Sequence, residues 1–364
     1  MLQVGSGSVP DDAEDLGDAV LLPGLVNAHT HLEFSDLTSP IGEPGIRLAD
    51  WIGQVVGARY GATPESKLAA IQSGVEELID SGTRLAGEIA TPPSDYSQAS
   101  NRLTVVSFAE VLGLDPLRTA ERLKAARDHN QSCVTAGLSP HAPYSTTLET
   151  IDECIDCACR WNRPIAMHVA ESAEERELLT TASGPFAAAL QAMSVWREKV
   201  FPWGDDPFGL LIDHLAKAPQ ALLIHGNYLD DLEIDQLSQC PNVSVVYCPR
   251  THHFFGHPPH PVDRMLQARV RVALGTDSRA SNPDLNVWKE VQYLLRNRSD
   301  IPPMQVLRMA TINGAEAMNQ PKMGRIQSEC RPGLGVVHSR GASLEEVYAD
   351  FCTNDYVPLR PEAK

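Results

Sequence analysis

The chain has 364 residues, of which 43% are hydrophobic, enough for a large core and too many for a disordered chain. Its 30 Lys and Arg stand against 47 Asp and Glu, a formal charge of -17 that repels phosphate backbones and excludes nucleic acid as the expected partner. The opening MLQVGSGSVPDDAEDLGD has neither a basic start nor an apolar run, and no stretch approaches the roughly 18 apolar residues of a membrane helix, so a cytoplasmic chain without a membrane partner is expected.

In chain order, short apolar runs alternate with longer helical patterns. LVNAH ends at His29, and Pro64 then opens PESKLAAIQSGVEELIDSG, a helix stopped at Gly82. TRLAGEI ends near Glu88, and LTVVSFAEV reaches Glu110. DPLRTAERLKAARDH follows, with apolar residues at three- and four-residue spacing. SCVTAGLSPH ends at His141, and TLETIDECIDCACRW repeats the helical spacing before RPIAMH ends at His168. Residues of about 175–220 form a long insertion holding Trp196, Phe201, Trp203 and Phe208, which reads either as a mobile lid over a substrate or as an extra helix pair. QALLIH ends at His225, VSVVYCP follows, and VRVALGTD ends at Asp277.

Continuous apolar character suits strands buried on both faces of a parallel sheet. Strands alternating with helices predict an α/β fold, a closed (β/α)8 TIM-type barrel over residues 23–319, with the insertion carried between its fifth and sixth strands. The eight cysteines are irregularly spaced; Cys154-x-x-Cys157 has no second Cys or His pair nearby, so packed thiols are expected rather than a zinc site.

His29, His31, His141, His168, His225 and Asp277 fall at or just past the C-terminal ends of the expected strands, the face where such barrels carry their active sites. His29-Thr30-His31 can turn both imidazoles toward one metal, because alternate strand residues share a side. His-x-His alone is a weak signal. Its setting, LLPGLVNAHTHLEF, resembles the first-strand motif of the amidohydrolase superfamily, Pro-Gly-Leu/Phe-Val/Ile-x-x-His-x-His. The resemblance continues in order through His168 in AMHVAES, His225 in LLIHGNYL and Asp277 in VALGTDSRASNPDL, over about residues 20–320.

That resemblance implies that His29, His31, His168 and Asp277 hold one divalent metal ion, zinc first and iron second, a donor set that suits either. The metal would lower the pKa of a bound water and yield a hydroxide nucleophile, with Asp277 also accepting a proton and His225 orienting the water. Glu171, in His-Val-Ala-Glu-Ser, resembles the proton shuttle of the adenosine-type, guanine and S-adenosylhomocysteine deaminases; otherwise it is a solvated charge heading the helix ESAEERELL. His141, in SPHAPYS, resembles a substrate-contacting histidine, with Ser139 and Tyr144 beside it; the alternative is a cap on the next helix. Binuclear relatives carry a carboxylated lysine at the end of the fourth strand, which here ends at His141 with no lysine nearby, so a mononuclear site is expected.

CPRTHHFFGHPPHP departs from the family's Cys-Pro-x-Ser-Asn. Its basic and aromatic residues suit a substrate with a carboxylate and a ring, Arg250 being the expected contact unless it pairs with an internal acid. His257 and His260 are read as surface residues of a Pro-rich loop. The family's terminal β-sandwich is expected in reduced form, built from 1–22 and 320–364, and a homodimer stays open. The implied activity is metal-dependent hydrolysis of a non-peptide carbon–nitrogen bond in a small-molecule substrate. Deamination of an amino-substituted N-heterocycle such as a purine derivative leads, aminofutalosine type included. Rival readings are a cyclic amide or imidazolone hydrolase, a triazine-type chlorohydrolase and, outside enzymes, a degenerate barrel that binds a ligand without turnover.

Overall fold

The computed structural model describes residues 13–99, 101–132, 135–330 and 333–359. A first short strand, β1 (Ala19–Pro23), precedes eight that form one sheet: β2 (Leu25–Thr30), β3 (Thr83–Ala90), β4 (Thr104–Val111), β5 (Ala136–Pro140), β6 (Ile165–Val169), β7 (Ala221–His225), β8 (Val243–Tyr247) and β9 (Arg271–Leu274). They neighbour one another in chain order, every pair parallel. A parallel bridge between Thr30 and Asp277 returns the last strand to the first and closes a TIM-type barrel. These are the eight apolar runs of the sequence. β2, β5, β6, β7 and β8 are buried at every residue, as strands with helices outside and side chains inside must be.

Val26, Leu85, Phe108, Ala166, Leu222 and Val246 come from six different strands yet pack in one cluster, which only the barrel interior allows. The intervening residues Leu138, Ile165, Met167, Leu223 and Val245 join the larger cluster with the outer helices. On the helix Leu148–Trp161, Cys154 and Cys157 are free, buried thiols, and burial pushes the Cys154 thiol up.

The insertion is three helices, Ala173–Thr181, Gly184–Ala192 and Pro207–Leu215. Phe208 is fully buried and Phe201 nearly so, with Trp196 and Trp203 packed on the same core, so the helices are integral to the barrel wall. At the termini β1 pairs with β10 (Leu334–His338), which pairs with β11 (Val357–Leu359), all antiparallel. The expected reduction of the sandwich thus goes as far as one three-stranded sheet among the described residues. Tyr356 Oη donates to the Pro23 carbonyl at the end of β1 at 3.1 Å, and its ring lies 5.8 Å from that of Trp288, on the helix Val287–Asn297.

Gly87 in β3 sits where a Cβ would stand 2.5 Å from the Ala28 carbonyl oxygen and 2.9 Å from Met318 Sδ. Gly87→Ala should therefore lower stability by about 1–3 kcal/mol through overpacking, read as a lower urea midpoint with the far-UV spectrum retained.

Candidate active site

The barrel seam builds the site. The amides of Thr276 and Asp277 both donate to the His29 carbonyl at 3.1 Å, and Thr30 Oγ1 donates to the Asp277 carbonyl at 3.0 Å. Asn27, wholly buried, accepts from the Thr276 amide at 3.1 Å and donates to Thr276 Oγ1 at 2.8 Å. At Gly275 a Cβ would stand 2.9 Å from His29 Cβ, so close approach of the two strands requires glycine there.

Around this seam the side chains converge. His29 Nε2 lies 3.4 Å and His31 Nε2 3.6 Å from Asp277 Oδ1, and the Nε2 atoms of His31 and His168 are 3.3 Å apart. The ligand atoms of His29, His31 and Asp277 all lie within 4.8 Å of one another, as do those of His29, His168 and His225. His168 Nδ1 donates to the His141 carbonyl at 2.9 Å, which leaves its Nε2 lone pair facing the cluster. Neither ring nitrogen of the fully buried His29 makes a hydrogen bond, a cost of roughly 1–3 kcal/mol for each polar atom left so. Burial also holds the His31, His168 and His225 imidazoles well below their usual pKa, hence neutral. Burial pushes the Asp277 carboxyl up, but His29, His225 and a 2.6 Å bond from Ser281 Oγ outweigh it and keep the group below its ordinary value. Neutral imidazoles with orphaned nitrogens around one carboxylate fit a divalent cation.

Three non-glycine residues at these strand ends adopt left-handed backbone: Ala170 at φ 56°, His225 at φ 72° and Asp277 at φ 56°. Such conformations cost on the order of 1 kcal/mol or more and persist where surroundings enforce them. In β7, Leu222 and Ile224 face inward, so simple alternation would turn His225 outward; its left-handed turn aims it at the cluster instead. His260 Nε2 donates to the His225 carbonyl at 2.9 Å and braces that turn.

Glu171 Oε1 lies 3.3 Å from His225 Nε2. Its backbone is held by Glu175, which accepts from the amides of Ala170 and Glu171 at 2.9 and 2.8 Å, and by Asn227, which donates to the Glu171 carbonyl at 3.0 Å. Burial, then the charges of Asp277 and Glu175, pushes the Glu171 carboxyl well above its usual pKa. It is 4% exposed, and Ser172 caps the following helix, so Glu171 is no solvated helix-heading charge.

These groups open into a cavity of about 840 Å³. His141 and Tyr144 line it, while Ser139 is buried behind it. The cap of the helix Leu148–Trp161 is Thr147, which frees His141 from that duty. Tyr144 stacks on Phe186 of the insertion, ring centroids 4.4 Å apart, so the insertion forms one wall.

Arg250 is a correction to the sequence reading. It does not line the cavity; its guanidinium pairs with Glu290 at 2.6 Å and Asp284 at 2.6 Å, because buried Glu290 demands a counter-charge. Glu290 in turn accepts from Asn282, which also donates to the Thr276 carbonyl at 2.8 Å, so Arg250 braces the loop carrying Asp277. Nor is His260 a surface residue: it is 1% exposed and stacks on Tyr247, and His257 is half-buried against the Tyr228 hydroxyl.

Cations do line the cavity, from elements the motifs did not flag. Arg118 and Arg122 sit one turn apart on the helix Pro116–Ser132 and make no ion pair among the described residues. Arg59 pairs with Glu33 instead, as does Lys67 at 3.1 Å. Glu110, at the end of β4, is a further cavity residue, marked in the sequence by being an acid in an apolar strand run.

Arg250→Ala should cost about 3–5 kcal/mol of stability in urea unfolding, because Glu290 is left buried and unpaired, whereas loss of a substrate contact would raise KM and leave the midpoint in place.

The chain matches the model of the Amidohydrolase family over residues 20–351. It is 27% identical over 352 residues to 5-methylthioadenosine/S-adenosylhomocysteine deaminase of Nitratidesulfovibrio vulgaris, covering 92% of this chain and 74% of that protein. It is 28% identical over 334 residues to aminodeoxyfutalosine deaminase of Deinococcus radiodurans, covering 84% and 75%. The crystal structure of Helicobacter pylori aminofutalosine deaminase with methylthio-coformycin shares the fold at a TM-score of 0.76 and 24% identity, over 93% of this chain and 85% of that one. The family match runs from β1 through every barrel strand to the C-terminal helix Leu344–Phe351, and it includes the whole histidine and aspartate cluster: the chain belongs to the amidohydrolase family.

Proposed function

We propose that the chain catalyses hydrolytic deamination of an aminopurine nucleoside that carries an acidic extension. The observation that carries this reading is Glu171: a buried carboxyl whose Oε1 lies 3.3 Å from His225 Nε2, beside the histidine and aspartate cluster and on the cavity wall. Held by His29, His31, His168 and Asp277, a divalent ion, zinc in this reading, would supply Lewis acidity and a lowered pKa for water. Glu171 gives its proton to a ring nitrogen of the substrate, which makes the amino-bearing carbon electrophilic. His225 holds the attacking water on the other side of Glu171, and Asp277 accepts that water's proton. That proton then reaches the amine, the carbon–nitrogen bond breaks to release ammonia, and the remaining hydroxyl proton returns to Glu171 as the carbonyl forms, so each turnover consumes one water and releases one ammonia. His141 and Tyr144 position the ring, Tyr144 backed by Phe186.

Relatives named as deaminases of 5-methylthioadenosine, S-adenosylhomocysteine and aminodeoxyfutalosine support the nucleoside class. The acidic extension is supported by Arg118 and Arg122, cations in the cavity wall without an ion pair among the described residues, which suit a carboxylate.

The test is ammonia release by zinc-loaded protein across a panel of aminopurine nucleosides with and without a carboxylate. Glu171→Gln should lower kcat by roughly 10²–10⁴-fold with metal content unchanged. Full activity in that variant sinks the role of Glu171, and no ammonia from any member of the panel sinks deamination. Replacing Arg118 and Arg122 together by Ala should lower kcat/KM by roughly five- to tenfold for carboxylate-bearing substrates alone.

A further inference from the structure

The backbone that carries Glu171 is held at every polar group. Just past β6 the Ala170 amide donates to Glu175 Oε1 at 2.9 Å and the Glu171 amide to Glu175 Oε2 at 2.8 Å. The Ala170 carbonyl accepts from the Tyr228 amide at 3.0 Å, and the Glu171 carbonyl accepts from Asn227 Nδ2 at 3.0 Å. Ala170 itself is in left-handed backbone at φ 56°. A residue with a Cβ adopts that conformation at a cost, so the turn that brings Glu171 to the cavity needs partners to hold it.

Helix capping does not account for where Glu175 sits. Ser172 caps the helix Ala173–Thr181 by accepting from the Glu175 amide at 3.3 Å, and Ser-x-x-Glu is the sequence of a capping box, in which the glutamate returns to the amide of the cap residue. Glu233 and Glu346 do this elsewhere in the chain, accepting from the Asp230 amide at 2.8 Å and the Ser343 amide at 3.2 Å. The two oxygens of Glu175 go further, to the amides one and two residues before Ser172. Glu175 does so while wholly buried and without an ion pair among the described residues, since the adjacent Arg176 pairs with Glu233 at 2.8 Å. Burying a carboxyl without a counter-charge is unfavourable, and Glu346 closes its capping box from an exposed position.

What the placement does secure is the pair of Glu171 and His225. Asn227 and Tyr228 follow His225 directly, just past β7. The Gly226 amide donates to the Val169 carbonyl at 3.0 Å, and Arg176 Nη2 donates to the Tyr228 carbonyl at 2.9 Å. The ends of β6 and β7 are thus bound into one unit, across which Glu171 Oε1 lies 3.3 Å from His225 Nε2. Neither Glu175 nor Asn227 lines the cavity, so both act through Glu171 and not on a ligand. We propose that Glu175 and Asn227 are positioning residues that clamp the Glu171 peptide from its amide and carbonyl sides and so fix the Glu171 carboxyl for proton transfer. The inference rests on the deaminase reading above, in which that carboxyl serves the substrate ring. A misplacement of about 1 Å at such a group costs on the order of 10²-fold in rate.

The test is a double-mutant cycle on ammonia release by zinc-loaded protein, read on the member of the aminopurine nucleoside panel that wild type turns over fastest. Glu175→Gln keeps the size of the side chain but offers one acceptor oxygen and sets its amide nitrogen against the second backbone N–H. It should lower kcat by roughly 10- to 100-fold, with KM within about threefold of wild type and metal content unchanged. In a Glu171→Gln background the same change should lower kcat by less than about twofold, because the group it positions no longer has a proton to deliver. Asn227→Ala, which frees the carbonyl side alone, should show the same dependence on background with a smaller loss, and it carries the cycle if Glu175→Gln does not fold. A purely structural role lowers the urea midpoint and leaves kcat of the folded protein unchanged, or lowers kcat equally in both backgrounds; either result overturns the clamp, as does a change confined to KM. Ammonia release by wild type separates the two levels of failure: release with equal losses in both backgrounds removes this inference alone, whereas no release from any member of the panel removes the deaminase reading and the clamp with it.

Discussion

The His29 carbonyl, shared by the amides of Thr276 and Asp277, holds this molecule together at the point where it also does its chemistry. A parallel barrel has no free edge only if its last strand finds its first. Here that pairing is brief: one bridge between Thr30 and Asp277, with Asn27 and Thr276 exchanging hydrogen bonds just below it. The strands that close the barrel are the ones that carry His29, His31 and Asp277. Their separation is set by backbone hydrogen bonds and by the missing Cβ of Gly275, not by the rotamers of long side chains.

The same compactness creates an electrostatic conflict. Imidazoles and acids are packed close together, and burial holds the His31 and His168 imidazoles below, and the Glu171 carboxyl above, their ordinary pKa values. Asp277 departs the other way: its contacts, the 2.6 Å bond from Ser281 among them, outweigh burial and hold it below its ordinary value. A cation at the centre would turn one of the orphaned nitrogens of His29 from a cost into a ligand. The surrounding shell resists relaxation: Glu175 holds the Glu171 peptide, and the Arg250, Glu290 and Asn282 chain holds Thr276. Backbone strain at Ala170, His225 and Asp277 is tolerated because these bonds leave no alternative.

Beyond the cluster, the cavity is a composite. Its wall draws Phe186 from the insertion, Arg59 from the first loop, Glu110 and His141 from strand ends, and Arg118 and Arg122 from one helix.

By itself the sequence determined the barrel, its eight strands and the residues at their C-terminal ends. Burial on both faces writes a continuous apolar run, and a histidine or aspartate ending such a run is conspicuous. His29, His31, His168, His225 and Asp277 were conspicuous for that reason, and Glu171 was legible through the resemblance of its motif to a deaminase proton shuttle. Tertiary structure decided the rest, because partners far apart in the chain leave no local pattern. Arg250 looked like a substrate contact until the fold placed Glu290 and Asp284 against it. His260 looked like a loop surface residue until Tyr247 and the His225 carbonyl enclosed it. Glu110 and Asn27 are single polar residues in apolar runs, indistinguishable in sequence from any strand-end polar group. Their surroundings follow only from what the closing of the barrel sets beside them: for Asn27 the Thr276 amide, for Glu110 the cavity wall and His141 at 3.9 Å.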